Sequence, residues 1–170
     1  MTISPGTTPE LGGAVDLGGT TVLTSTVRID HPAPDVAAYV LDWGHDAEWR
    51  SAVVGFTCQP PGPAAVGQRL EEELRFAGMT FRTPSVITHV TALSAAWAGG
   101  TDRVRAHGER SVRPLGERSC EVELTTTLSF AGAMRLLAPV LRPSYRRADA
   151  ADAAGLAAHV DRFVANGGGR

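Results

Sequence analysis

The sequence predicts an α+β fold. A curved antiparallel sheet of about seven strands carries two short helices after its first strand and one long C-terminal helix over its inner face. Three observations predict it. Segments alternating with a period of two follow one another directly, which builds hairpins and an antiparallel sheet instead of βαβ units. From about Ala133 to Asn166 the period changes to 3.6. That last segment places Leu137, Leu141, Tyr145, Ala148, Asp152, Leu156, His159 and Phe163 on one stripe, and the concave face of the sheet is the surface available to cover it.

The elements follow in order. Residues 1–19 are rich in Gly, Pro and Thr without periodicity and read as a mobile leader; residues 20–166 form a single domain; residues 167–170 are a disordered tail. Thr21–Ile29 alternates and is rich in Val and Thr, a strand. Pro32 and Pro34 break it, and Pro34 suits a first helical turn because its missing N–H costs nothing there. Val36, Tyr39 and Val40 share a face of the first helix, which Gly44 ends. Asp46 to Arg50 is a second short helix carrying Trp49. Strands follow at Val53–Gln59, Gln68–Phe76, Met79–Ala92 with a kink at Pro84, around Trp97, Arg103–Pro114 and Ser119–Phe130.

Composition bounds the chemistry. The 170 residues fit one domain, and 43% hydrophobic with 20% charged residues is an ordinary globular mix. The net charge is −2, and no dense basic cluster provides a nucleic-acid face. All sixteen basic residues are Arg, so lysine Schiff-base chemistry is excluded. Cys58 and Cys120 are too far apart for a CxxC motif and read as small buried hydrophobes in a reducing compartment. The N-terminus lacks the basic start and apolar stretch of a signal peptide, and no apolar run reaches the ~18 residues of a membrane span. The expectation is a cytoplasmic monomer or homodimer without stable membrane insertion and without a nucleic-acid partner. The five histidines are scattered, and no HExxH, GxSxG or P-loop pattern occurs, so no metal and no cofactor is expected.

Val27-Arg28-Ile29-Asp30-His31-Pro32-Ala33-Pro34-Asp35-Val36-Ala37-Ala38-Tyr39-Val40-Leu41-Asp42, followed by Glu48-Trp49, resembles the opening strand, proline break, first helix and second-helix tryptophan of the START-like, or SRPBCC, helix-grip superfamily. Within it, the chain is similar to the polyketide cyclase/dehydrase-type branch. Val66-Gly67 and Phe76-Ala77-Gly78 fit the same pattern, and the resemblance spans about Thr21 to Phe163. It implies a cavity between sheet and helix that grips an apolar ligand. Members include aromatase/cyclases, lipid and hormone carriers, and co-chaperones, so the fold alone does not select an activity.

Strand parity places the candidate site. On the strand ending at Phe76, even positions put Glu72 among Leu70, Leu74 and Phe76 on the inner face. On the strand from Arg103, Arg110 is the inward charge, with Gly108 leaving space beside it. The next strand turns Leu124, Thr126 and Leu128 inward, and a five-residue loop, Leu115–Ser119, sets Arg113 opposite Glu121 and Gly108 opposite Thr126. Buried charges need partners. Three readings stand: Glu72 and Arg110 pair with each other; Arg110 anchors a ligand carboxylate, carbonyl or enolate; or Glu72 moves a proton while Arg110 stabilises developing negative charge. Tyr39 and Tyr145 can face the cavity from the first and last helices, and Leu141 joins them. A two-residue turn at Ala77-Gly78 turns Phe81, Thr83 and Ser85 inward and pairs Glu73 with Arg82 outside; a three-residue loop turns Arg82 inward instead. The candidate set is thus Glu72 and Arg110 as catalytic groups, with Tyr39, Leu74, Phe76, Arg82, Gly108, Thr126, Leu128, Leu141 and Tyr145 around a ligand. The expected function is binding of a hydrophobic or aromatic small molecule as a carrier. The alternative is a cyclase, aromatase or dehydratase using a cavity acid/base with an arginine.

Overall fold

The computed structural model describes residues 10–11, 15–16, 20–76 and 78–168. The side chains of residues 10, 11, 15, 16, 76, 134, 137–142, 144–146 and 149 lie outside that description. The elements are β1 (Glu10–Leu11), β2 (Val15–Asp16), β3 (Thr20–Ile29), α1 (Ala33–Val40), a 3-10 turn (Trp43–His45), α2 (Asp46–Trp49), β4 (Val53–Gln59), β5 (Arg69–Phe76), β6 (Met79–Val90), β7 (Ser94–Gly100), β8 (Val104–Gly116), β9 (Ser119–Phe130) and α3 (Met134–Ala165). The strands form one antiparallel sheet in the order β1-β3-β9-β8-β7-β6-β5-β4, with β2 also on β3. The seven long strands are those expected. The two short ones revise the leader: Glu10–Leu11 pairs with Thr26 and Ser25, and Val15–Asp16 with Val22 and Thr21. They satisfy backbone groups on the side of β3 that β9 leaves open. The rest of the expected leader lies outside the described residues.

Parity holds along the sheet. In β3 alternate residues from Thr21 to Ile29 are buried; in β8 Ala106, Arg110 and Val112 are buried, and in β9 Cys120, Val122, Leu128 and Phe130. Arg110 faces Leu124, Gly108 faces Thr126, and Arg113 faces Glu121 with a 2.5 Å ion pair. The connection differs from the expected five-residue loop. β8 continues to Gly116, the turn is Glu117-Arg118, and a bulge between Pro114 and Gly116 absorbs the extra residue, so the register is unchanged. The β5–β6 hairpin takes the two-residue option, pairing Glu73 with Arg82 and Leu74 with Phe81. Pro84 stays in register opposite Glu71, and the irregularity of β6 falls instead between Ile87 and His89. Pairing of β6 with β7 begins at Ser85, so Pro84 sits where that side of β6 has no partner strand.

Val36, Tyr39 and Val40 are buried on α1 as their spacing requires. The helix ends at Leu41, earlier than expected, because Asp42 accepts a 2.8 Å hydrogen bond from the Gly44 N–H and caps a new 3-10 turn. On α3 the buried face is Asp152, Ala153, Leu156 and Val160, with His159 and Phe163 half-buried at its flank. The helix packs against β3, α1 and α2 and touches β5 and β9. Part of the expected tail is ordered: Gly167, at φ +81°, and Gly168 donate to the Val164 and Phe163 carbonyls, closing α3 with a paired C-terminal cap. Among the described residues no helix is long and apolar enough to cross a membrane.

Candidate functional site

Between the sheet and α3 lies a cavity of about 360 Å³. Its apolar side is formed by Leu23, Phe56, Leu74, Phe81, Trp97 and Leu128. Its polar side is built where the connection from α1 through α2 passes under the sheet, and it joins Trp43, Trp49, Arg50, Glu72, Arg110 and Asp152.

The polar wall starts from Asp46. As the first residue of α2 it points into the core, where it has no exposure. Arg110 grips it with two parallel bonds, Nη1 to Oδ1 at 2.7 Å and Nη2 to Oδ2 at 2.6 Å. This fork is the geometry in which an arginine–carboxylate pair is strongest. Arg110 also donates to the Val40 carbonyl at 3.0 Å, and its guanidinium lies 4.2 Å from the Trp43 ring centroid. Arg50 stands one turn after Asp46 and donates from Nη1 to Asp46 Oδ2 at 2.8 Å; the same Nη1 bonds Glu72 Oε1. The result is a chain, Glu72–Arg50–Asp46–Arg110. Beside it Asp152 on α3 accepts from the Ser51 N–H at 2.7 Å and the Ser51 hydroxyl at 2.9 Å, tying helix to loop.

Charge states follow. Burial alone would raise the Asp46 pKa, but Arg110 and Arg50 outweigh it and hold the carboxylate below its ordinary value. At Glu72 burial wins: desolvation, helped by Asp46, raises the pKa against the pull of Arg50. Burial disfavours the charged form of Arg50, yet Glu72 and Asp46 together push its pKa up.

The sequence-derived candidates divide. Glu72, Arg110, Leu74, Thr126, Leu128 and Arg82 all line the cavity, Arg82 as a largely exposed side chain paired to Glu73 at 3.2 Å. Glu72 and Arg110 do not pair directly; Arg50 and Asp46 stand between them. Tyr39 is turned away from the cavity. Its hydroxyl donates to Glu48 Oε2 at 2.8 Å, its ring stacks on His45 at 4.5 Å, and burial with the Glu48 contact raises its pKa. Gly108 opens no space, because the Trp97 indole fills it: a Cβ there would stand 3.0 Å from Trp97 Nε1 and 2.3 Å from the Thr125 carbonyl oxygen. The side chains of Phe76, Leu141 and Tyr145 lie outside the described residues. Sequence reading missed Asp46, Arg50, Trp43 and Asp152. The available signal was Asp46 and Arg50 at i, i+4 on a short helix beside an inward arginine that cannot shed its charge.

The sequence profile of the family described as polyketide cyclase / dehydrase and lipid transport matches residues 20–165. The chain belongs to this family. Among solved structures, the Zhui aromatase/cyclase of Streptomyces sp. R1128 is similar at a TM-score of 0.74 and 19% identity, covering 88% of this chain and 99% of that one. A START superfamily protein of Mycobacterium smegmatis aligns at a TM-score of 0.60 and 14% identity over 84% of this chain and 98% of its own. Norcoclaurine synthase of Thalictrum flavum, a point mutant in complex with a transition state analogue, aligns at 0.61 and 14% over 90% and 99%. No curated protein matches the chain in sequence. At these identities the likeness carries the helix-grip fold. Together with the family, it identifies the START-like superfamily and a fold that binds hydrophobic ligands.

Proposed function

We propose that the protein binds one hydrophobic or aromatic small molecule in the cavity between sheet and α3, as a carrier or ligand-binding protein. The observation that supports this is the cavity of about 360 Å³, walled in large part by apolar and aromatic side chains, with the charged cluster of Arg50, Glu72, Arg110 and Asp152 at one wall and further polar residues such as Arg82, Arg103 and Thr126 elsewhere in the lining. That size and that distribution are those of small-molecule sites. The test is a titration with N-phenyl-1-naphthylamine, a neutral fluorophore. The folded protein should bind it with a stoichiometry near one and release it to fused-ring aromatics. Binding that begins only after acid or denaturant treatment would mark the fluorescence as a property of an opened core and end this reading.

A second reading, an enzyme of the cyclase or dehydratase kind, draws on Glu72. Its carboxyl lines the cavity, and burial favours its protonated form. A carboxyl with a raised pKa can give or take a proton, and Arg50 beside it would polarise a carbonyl. The discriminating measurement is deuterium exchange at the α-carbon of 2-tetralone, followed by NMR in D2O. Exchange faster with protein than in buffer, and abolished by Glu72→Gln, favours the enzyme; exchange at the buffer rate favours the carrier.

A further inference from the structure

The four charged groups of the chain Glu72–Arg50–Asp46–Arg110 are not equivalent toward a ligand. The side chains of Asp46 and Arg110 are 0% and 7% exposed, those of Glu72 and Arg50 14% and 24%. Arg50 and Glu72 both line the cavity and keep part of their surface unburied. Their bonding is also incomplete. Arg50 uses Nη1 for both Asp46 and Glu72, while Nε and Nη2, three N–H donors together, have no partner among the described residues. Glu72 uses Oε1, and its Oε2 has no partner there either. Among the described residues, a guanidinium edge and a carboxyl oxygen without partners thus stand at the cavity wall.

This combination selects a chemistry. The charge of Arg50 is already answered by Asp46 and Glu72, with Asp152 adding to them, so a ligand carboxylate would meet carboxylates without a cation of its own. A ligand ammonium would meet Arg50. A neutral group that accepts and donates at one atom suits both. Trp49, Phe56, Phe81 and Trp97, which line the same cavity, favour a flat ring system. Resting on the proposed cavity function, we infer that Arg50 and Glu72 together seat a phenolic or enolic hydroxyl of an aromatic ligand, Arg50 donating to its oxygen and Glu72 accepting its hydrogen. Arg50 and Glu72 are then the specificity contacts of the cavity, and Arg110 and Asp46 position them.

The experiment compares 2-naphthol, 2-methoxynaphthalene and 2-methylnaphthalene, three probes of nearly one shape, by titration against tryptophan fluorescence. The naphthol can use both contacts, the ether only the Arg50 donor, and the hydrocarbon neither. The expected order of affinity is naphthol, ether, hydrocarbon, with naphthol at least tenfold above the hydrocarbon. Arg50→Lys keeps the charge that holds Asp46 and Glu72 but removes the planar donor edge. It should reduce the naphthol preference to under threefold and leave the hydrocarbon unchanged. Equal affinity of the wild-type protein for all three probes overturns the inference while leaving the cavity function standing, and needs no variant to fold. No binding of any probe overturns the cavity function and this inference with it. An undiminished preference in a folded Arg50→Lys protein assigns the hydroxyl elsewhere and also overturns the inference.

Discussion

Asp46–Arg110 and Arg50–Glu72 are two arginine–carboxylate pairs joined by a shared atom, Asp46 Oδ2, yet they solve opposite problems. In the first, a two-pronged grip, a backbone carbonyl and a tryptophan face hold the charges, and although Arg110 lines the cavity its side chain is only 7% exposed. In the second, a single guanidinium nitrogen makes the contact, the remaining polar atoms have no partner among the described residues, and both side chains line the cavity. The environment separates their proton affinities in opposite directions, down for Asp46 and up for Glu72. An inward charge on a strand thus signals a polar wall, while the number of its hydrogen bonds decides whether it supports the fold or meets a ligand.

Breaking the enclosed pair should give the largest effect. Arg110→Met leaves Asp46 buried with one of its two guanidiniums, and should lower stability by about 3–5 kcal/mol, the cost of breaking a buried pair. Urea unfolding measures it, and a loss below about 1 kcal/mol would show that Arg110 does not hold the wall. Leu156→Ala, which empties a fully buried position on α3, should cost about 2–5 kcal/mol. A comparable loss there would place the apolar grip of α3 on the same scale as the enclosed ion pair. A negligible loss would mean that α3 is not clamped to the core.

The open pair should reveal itself through pH. Glu72 has a raised folded pKa, so its contribution to stability is complete below its ordinary value of 4.5 and declines as pH rises through the folded value. Glu72→Gln mimics the protonated form. Relative to it, the wild-type protein should lose stability from about pH 4.5 upward. Asp46 behaves oppositely: its folded pKa is depressed, so its contribution is present above 3.8 and is lost as pH falls through the folded value. Asp46→Asn should therefore be most damaging near neutrality and converge on the wild-type protein in acid. Thermal unfolding of both variants from pH 3 to pH 8 would test the contrast; parallel curves would remove it. The smallest effect belongs to His31–Asp161, a 2.8 Å pair at the surface of α3. Asp161→Ala should cost under about 1 kcal/mol by urea unfolding, and a larger loss would put a surface contact on the level of the buried ones.

How far the sequence reached depends on the range of the interactions involved. Alternation in β3, β8 and β9 is local, so the inward faces and the Arg110–Leu124 and Gly108–Thr126 registers were legible. The 3.6 period likewise placed Leu156 inside. What failed required knowing where distant elements meet. Gly108 is a gap along β8, but Trp97 from β7 closes it. Tyr39 lies on the inward face of α1, but that face meets Phe163 and His45 instead of the cavity. The partner of Arg110 comes from α2, 64 residues away, where one short helical turn with mixed charges gives no periodicity to read.

The two-residue strands β1 and β2 have a consequence for how the molecule behaves in a crowd. They occupy one margin of the sheet in pieces too short to template a further strand, while β4, seven residues without a single charge, forms the other margin. Growth of a fibre by sheet extension is an addition polymerisation, and each monomer must offer two reactive ends. Among the described residues, this chain offers one. An encounter between copies along β4 would therefore stop at the pair, because the far margin of each copy presents only two-residue strands among the described residues.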